Sequence, residues 1–111
     1  MLRKTVFTND EESKATREGF GEGLLAAGER DDRVVALCAD LTESVKMDGF
    51  RAKFPKRFFE VGITEQAMSG LASGMAAFGY IPFCASYAAF SPGRNWEQIR
   101  TTIAYNGANV K

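Results

Sequence analysis

The sequence contains no histidine, and this absence restricts its chemistry more than any other feature. Catalytic groups of the Ser-His-Asp and Cys-His kinds need an imidazole base, and most zinc sites need imidazole ligands. Both kinds of site are therefore excluded from these 111 residues. Acid-base chemistry has to come from carboxylates, or from a bound cofactor that carries its own base.

Net charge and long apolar runs are also lacking. Fourteen Lys and Arg residues balance fourteen Asp and Glu residues, so we expect no broad electrostatic binding of nucleic acid or of an anionic membrane. No apolar run approaches the roughly 20 residues of a transmembrane helix. The charged start of the chain has no signal-peptide core. The sequence therefore predicts a cytoplasmic protein.

Cysteine is scarce as well. Cys38 and Cys84 both lie inside apolar runs, where buried free thiols are more common than a disulfide. We expect both cysteines to be core residues.

Apolar periodicity predicts helices that alternate with buried strands. The expected helices are 11–29, with capping-box spacing at 8–11, then 46–53, 64–78 and a fourth that Ser91 caps and Pro92 opens. The expected strands are 34–39, 57–61 and 81–87, with the entry to a fourth at 109–111. This alternation indicates an α/β fold with a parallel sheet and helices on both its faces. Three strands and the entry to a fourth make only a small sheet. We therefore expect an incomplete fold: a fragment, or one part of a larger assembly.

The helix over 64–78 carries an apolar stripe and two glycines. Gly70 and Gly74 lie one turn apart, and each costs roughly 1 kcal/mol relative to alanine in a helix. Close approach of another backbone is the expected reason. The stripe that should face the core consists of Met68, Leu71, Ala72, Met75 and Ala76.

Three residues follow the three strands at regular spacing: Asp40, Glu65 and Phe90. Ligands of open parallel sheets bind beyond the carboxyl ends of the strands, so we expect these residues at one common edge. Glu65 could be a carboxylate in an apolar setting with Ile63 that exchanges a proton with a ring nitrogen. From its position alone, the residue is more simply an acidic residue favoured in a first helical turn by the macrodipole.

The remaining candidates also have purely structural interpretations. Phe90 could stack on a flat heterocycle or belong to the core, and the loop from Asp40 to Ser44 could be a capping turn. Arg17 lies on a mostly charged helix face. A basic cluster is typical of a solvated surface and receives no role; it comprises Arg51, Lys53, Lys56 and Arg57.

Six segments in order resemble one known domain. They are 15–17 (Ala-Thr-Arg), 39–44 (Ala-Asp-Leu-Thr-Glu-Ser), 54–58 (Phe-Pro-Lys-Arg-Phe), 62–68 (Gly-Ile-Thr-Glu-Gln-Ala-Met), 76–83 and 90–94 (Phe-Ser-Pro-Gly-Arg). In this order and spacing the chain resembles the pyrimidine-binding domain of transketolase, in particular the C-terminal subunit of split transketolases. The resemblance covers 13–111 and leaves 1–12 as an N-terminal extension.

The resemblance implies thiamine diphosphate as the cofactor. In that family the glutamate that matches Glu65 hydrogen-bonds a pyrimidine nitrogen and promotes the imino form, which acts as the base. Phe90 would stack on the pyrimidine, and Tyr87 and Ile63 would line the same pocket. Asp40 matches an aspartate near the thiazolium and the subunit interface. Arg17 and Ser44 match positions that hold the phosphate of a sugar substrate, a task that suits a guanidinium.

The resemblance also implies a partner. The diphosphate and its Mg²⁺ or Ca²⁺ belong to a separate N-terminal subunit with a Gly-Asp-Gly motif, which this sequence lacks, so no metal ligand is expected here. The implied activity is transfer of a two-carbon ketol unit between sugar phosphates by an oligomer of both subunits.

Three alternatives share the fold. Two are enzymes, namely 1-deoxyxylulose 5-phosphate synthase and the beta subunit of a 2-oxo acid dehydrogenase; Arg17 together with 40–44 favours transketolase over both. The third is a non-catalytic module of the same fold.

Overall fold

One parallel sheet of three strands forms the centre of the computed structural model, which describes residues 13–111. The strands are β1 (Val34–Cys38), β2 (Phe58–Glu60) and β3 (Ile81–Ala85). Their order is β2-β1-β3, and Leu37 of β1 lies opposite Phe59 on one side and Cys84 on the other. The predicted α/β class and parallel sheet are confirmed.

Helices cover both faces of this sheet. The helices are α1 (Thr16–Arg30), α2 (Asp48–Lys53), α3 (Glu65–Ala77) and a short α4 (Trp96–Gln98) that continues as a π-helical segment (Ile99–Ala104). A 3₁₀ turn over Pro55–Arg57 separates α2 from β2. None of the helices described here is long and apolar enough to span a membrane.

Alternate residues of β1 point into two separate cores, as the pleat of a strand requires. Val34, Ala36 and Cys38 pack with Leu24 of α1 and Phe50 of α2. On the other face lie Val35, Leu37 and Ala39, packed against Met68 and Ala72 of α3. The predicted stripe of α3 is confirmed at Met68 and Ala72 but wrong at Leu71, which is 48% exposed.

Arg57 is not the solvated residue that its basic cluster suggested. Its guanidinium carbon lies 3.8 Å from the centroid of the Phe54 ring. It also donates hydrogen bonds to the carbonyl oxygens of Gly28 (2.9 Å) and Asp31 (3.1 Å) at the end of α1. A cation at this position satisfies carbonyl groups that have no partner within the helix.

Two expectations about helix ends need correction. The helix expected over 11–29 begins at Thr16, and the capping-box spacing at 8–11 lies outside the described residues. Ser91 and Pro92 do not open the fourth helix: they lie in turns, joined by a cis peptide bond, and α4 begins only at Trp96. Asn95 instead precedes α4, buried against Ser91 and Ser69.

The end of the chain pairs with the sheet as the predicted entry to a fourth strand should. Lys111 donates its N–H to the Pro82 carbonyl and accepts the Cys84 N–H, both at 2.8 Å, which is the bonding of a parallel neighbour of β3, although 109–111 do not form a regular strand. The glycine contact expected for α3 is not found within the described residues. A Cβ at Gly70 or Gly74 would meet no atom of the described residues within 4 Å. Neither glycine is therefore explained by packing inside residues 13–111.

We predict opposite effects of alanine at two glycines of α1. In Gly21→Ala the new Cβ would lie 2.8 Å from Lys46 Cβ and would meet the Lys46 carbonyl oxygen still more closely. This overlap should lower the free energy of unfolding by about 1–3 kcal/mol. Gly23→Ala meets nothing within 4 Å and should raise it by about 1 kcal/mol. Urea unfolding of both variants measures the two free energies. Equal changes in the free energy of unfolding would contradict the packing of α1 against Lys46.

Candidate functional site

Residues that follow the three strands meet at the carboxyl edge of the sheet. Asp40 lies two residues after β1, Glu65 begins α3 and Phe90 lies in the turns after β3. A cavity of about 140 Å³ lies between them, here termed the carboxyl-edge cavity; its lining includes Asp40, Ile63, Glu65, Phe90 and Arg94. The structure thus brings together four of the residues that the sequence singled out.

Glu65 is the buried charge of this cavity, with 3% of its surface exposed. Its position as the first residue of α3 places the carboxylate at the positive end of the helix dipole. An Arg94 guanidinium nitrogen lies 3.2 Å and 3.4 Å from its two carboxylate oxygens. The setting is therefore not the purely apolar one expected, because an ion pair compensates the burial of the charge.

Arg94 contacts Phe90 as well as Glu65. Its guanidinium carbon lies 4.2 Å from the centroid of the Phe90 ring, a cation–π distance. The side chain is 49% exposed. Sequence reasoning gave Arg94 no role, although it stands in the same short segment as Phe90. The available signal was a basic residue one turn after the candidate stacking ring.

Asn95 anchors the first turn of α3 to the turn before α4. Its side chain is 1% exposed, and its amide nitrogen donates to the Glu65 carbonyl oxygen (3.2 Å), the Ser69 hydroxyl (2.8 Å) and the Ser91 hydroxyl (3.1 Å). These bonds place the Arg94–Asn95 segment against the start of α3.

The other three candidates lie around a second cavity, of about 320 Å³. Arg17 of α1, Ser44 of the loop after β1 and Tyr87 after β3 all line it. Tyr87 was expected in the same pocket as Phe90 and instead lines this neighbouring cavity. The Tyr87 and Phe90 rings stack with centroids 6.2 Å apart and planes 28° apart, so one aromatic pair contributes a ring to each cavity.

Glu60, at the end of β2, joins the two loops that form the walls of the carboxyl-edge cavity. One carboxylate oxygen accepts the backbone N–H of Asp40 (2.7 Å) and of Gly62 (3.0 Å), and the other accepts the Thr42 hydroxyl (2.9 Å). Asp40 has φ +57°, a conformation that a non-glycine residue rarely adopts unless its surroundings hold it. Glu60 supplies that support, and sequence reasoning missed it because the residue appears only as a strand end.

Neither cysteine belongs to this site. Both thiols are free, as expected, and burial raises the pKa of Cys84 to about 12 and also raises the pKa of Cys38. Both therefore stay protonated and unreactive near neutral pH. Within residues 13–111, no three His, Cys, Asp or Glu side chains are grouped closely enough to hold a metal ion.

A family model described as "Transketolase, pyrimidine binding domain" matches residues 12–111. The chain belongs to the transketolase family. Thiamine diphosphate is the cofactor that this family implies, and the fold and the order of motifs described above agree with the assignment.

Individual relatives point to split transketolases. The chain is 44% identical over 98 residues to a transketolase C-terminal section of Methanocaldococcus jannaschii, which covers 88% of this chain and 31% of that protein. It is 41% identical over 95 residues to a 6-deoxy-6-sulfo-D-fructose transketolase subunit of a Clostridium species, which covers 86% of this chain and 30% of that protein.

A solved structure is similar to most of this chain. It is described as a split-gene transketolase in the form of an inactive beta4 tetramer, and the two structures share a TM-score of 0.80 and 42% identity. The match covers 89% of this chain and 33% of the other. The chain thus spans about a third of the length of the transketolase relatives that it matches.

We predict that Glu60 holds both loops of this transketolase-family domain in place. Glu60→Ala removes the acceptor of three hydrogen bonds and should destabilise the fold by about 1–3 kcal/mol. Amide hydrogen exchange at Asp40 and Gly62 should accelerate at least about tenfold, because each N–H loses its partner.

The matched control is Glu60→Gln. Its amide oxygen can still accept both backbone N–H groups, and its amide nitrogen can donate to the Thr42 hydroxyl. Exchange at Asp40 and Gly62 should therefore stay close to the wild-type rate. Unchanged exchange in Glu60→Ala would mean that other contacts hold the loops.

Proposed function

We propose that this chain supplies the pyrimidine side of a thiamine diphosphate site in a transketolase-type transferase, which moves a two-carbon ketol unit between sugar phosphates. The observation that carries the proposal is the buried carboxylate of Glu65, which lines one cavity with the Phe90 ring. Membership of the transketolase family supports it. In this proposal residues 13–111 are the pyrimidine-binding domain and 1–12 are an extension.

The residues of the carboxyl-edge cavity fit an aminopyrimidine ring. A flat heterocycle needs an aromatic or apolar face to stack on and polar groups at its edge. Phe90 and Ile63 offer the apolar surfaces, and Glu65 offers the polar group. Asp40, on the rim, adds a negative charge that suits a cationic ring beside the pyrimidine.

Each of these side chains then has a defined task. Glu65 would hold a ring nitrogen through a hydrogen bond and supply or accept its proton, Phe90 and Ile63 would pack against the ring, and Asp40 would add negative charge beside the cofactor. When bound, thiamine diphosphate supplies both the base and the nucleophile. This division of labour explains how a chain without histidine can take part in catalysis.

The second cavity suits the phosphate end of the sugar. Arg17 can bind a phosphate through two parallel hydrogen bonds, and Ser44 can donate a third. Both line the cavity of about 320 Å³. Tyr87 lines it as well, and its ring stacks on Phe90 of the carboxyl-edge cavity. A substrate bound there would have its reactive end near the carboxyl-edge cavity.

A second polypeptide completes this site in the proposal. A diphosphate-binding subunit would hold the diphosphate and its Mg²⁺ or Ca²⁺, and both subunits would work together in the cytoplasm. The region around α3 suits such a contact, because Leu71 of α3 is 48% exposed, Phe78 just after it 88% and Trp96 at the start of α4 67%. Where exposed apolar side chains form a continuous patch, the surface is typically covered by another chain.

We expect Glu65→Ala to abolish most of the transferase activity of the complex. Loss of a positioned acid-base group lowers rates by about 10²–10⁴-fold, so transfer from a ketose phosphate to an aldose phosphate should fall at least about 100-fold. Product formation is measured in the chain combined with a diphosphate-binding subunit, thiamine diphosphate and Mg²⁺.

Glu29→Ala is the matched control for this experiment. Glu29 is an exposed carboxylate paired with Lys53, away from both cavities, and its loss should leave the rate unchanged. Near wild-type transfer by Glu65→Ala would refute the role of Glu65. Decarboxylation of pyruvate without ketol transfer from a sugar would instead favour one of the related enzymes.

We predict that Gly74→Ala has effects of opposite sign on the chain and on the complex. A Cβ at Gly74 meets nothing within 4 Å in the described chain, so the isolated variant should gain about 1 kcal/mol of stability. If a partner backbone packs there, the same Cβ should weaken association about tenfold or more. Thermal unfolding and calorimetric titration measure the two effects. Gly23→Ala on α1 controls for helix propensity, and unchanged association of Gly74→Ala would place the interface elsewhere.

A further inference from the structure

The Arg94 guanidinium engages both groups that the proposed aminopyrimidine would use. It lies 3.2 Å from a Glu65 carboxylate oxygen and 4.2 Å from the centroid of the Phe90 ring. A guanidinium is planar, carries N–H donors along its edge and stacks on aromatic rings. It therefore matches the shape and the hydrogen-bonding pattern of an aminopyrimidine at this position.

Arg94 also stands between two cavities. The carboxyl-edge cavity measures about 140 Å³, and a neighbouring, more open cavity of about 600 Å³ is bounded by α3 and the residues just before it. Ile63, Glu65 and Arg94 line both of them. Withdrawal of the Arg94 side chain would join the two spaces next to the Phe90 ring.

The contacts of Arg94 allow such a movement. Its side chain is half-exposed, and the guanidinium is held by an ion pair to Glu65 and a contact with the Phe90 ring. Its backbone is held separately, because the N–H donates to Phe90 and the carbonyl accepts from Gln66. The guanidinium can thus move out of the cavity while the backbone of the turn stays in place.

We propose that Arg94 is a placeholder for the aminopyrimidine of the cofactor. In the cofactor-free chain the guanidinium compensates the buried charge of Glu65 and covers the Phe90 ring, and binding of thiamine diphosphate displaces it toward solvent. This inference rests on the proposed function, and it makes Arg94 a residue that sets cofactor affinity.

The proposal predicts the direction of a mutational effect. Removal of Arg94 frees the Phe90 ring and leaves a buried carboxylate without its cation, so only the cofactor-free state loses stabilising contacts. Cofactor binding should therefore become tighter. A residue needed only for the local structure would show the opposite, because damage to the cavity weakens binding.

The first test compares Arg94→Gln with the wild type in the complex with a diphosphate-binding subunit. Calorimetric titration with thiamine diphosphate and Mg²⁺ should give a dissociation constant about tenfold lower for the variant. Arg100→Gln is the matched control: Arg100 is 47% exposed, pairs with Glu97 at 2.7 Å and lies 5.2 Å from the Tyr105 ring. It lines neither cavity, so its loss should leave the dissociation constant unchanged.

A second readout follows the guanidinium itself. In the NMR spectrum of the cofactor-free chain, the Arg94 side-chain N–H signals should show a ring-current shift from Phe90 that disappears in Phe90→Leu. They should move to the position of a solvated arginine when the complex binds thiamine diphosphate. Arg94→Lys, which keeps the charge without the plane, should bind the cofactor with intermediate affinity and serves as the second variant if Arg94→Gln folds poorly.

The outcomes separate this inference from the proposed function. If the wild-type complex binds no thiamine diphosphate, the proposed function itself is wrong. If the wild-type complex binds thiamine diphosphate, but Arg94→Gln or Arg94→Lys binds it equally well or more weakly, the placeholder role of Arg94 is refuted and the proposed function stands. Arg94 signals that stay shifted in the cofactor-bound complex would refute it as well.

Discussion

Strand β1 is hydrogen-bonded along both edges and covered on both faces, and the position of every other element depends on this double burial. All five of its residues are buried, and their side chains alternate between the core under α1 and α2 and the core under α3. A strand so enclosed can only be continuously apolar. Because its neighbours run parallel to it, the polar loops after all three strands are delivered to the same edge.

That edge contains the buried charge of Glu65. A protein with a purely structural role would gain little from burying such a charge. Glu65 is almost fully enclosed, and the dipole of α3, the Arg94 guanidinium and the Asn95 bonds around its backbone all act to hold it. A buried carboxylate is costly unless it is paired. Such an arrangement is typical of functional sites, where stability is given up for a group whose charge is used. The function proposed above would give that charge a purpose.

Much of the fold followed from local patterns. The run at 34–39 predicted β1 to within one residue, and the stripe around Met68 predicted the buried face of α3. The ends of the helices were harder to predict. Ser91 and Pro92 carry good helix-start signals, yet both lie in turns and are joined by a cis peptide bond. The helix begins instead after Asn95, whose buried side chain bonds to the Glu65 carbonyl oxygen 30 residues away, a contact that no local pattern contains.

The sequence by itself determined the fold class, the absence of imidazole chemistry and the short list from which the site is built, because apolar period and residue type are local properties. Tertiary structure alone decided which candidates share a cavity: Glu65 with Phe90, but Tyr87 with Arg17. It also brought Arg94 to Glu65 across the sheet edge. Such contacts depend on distances between residues far apart in the chain, and those distances exist only once the strands have paired around β1.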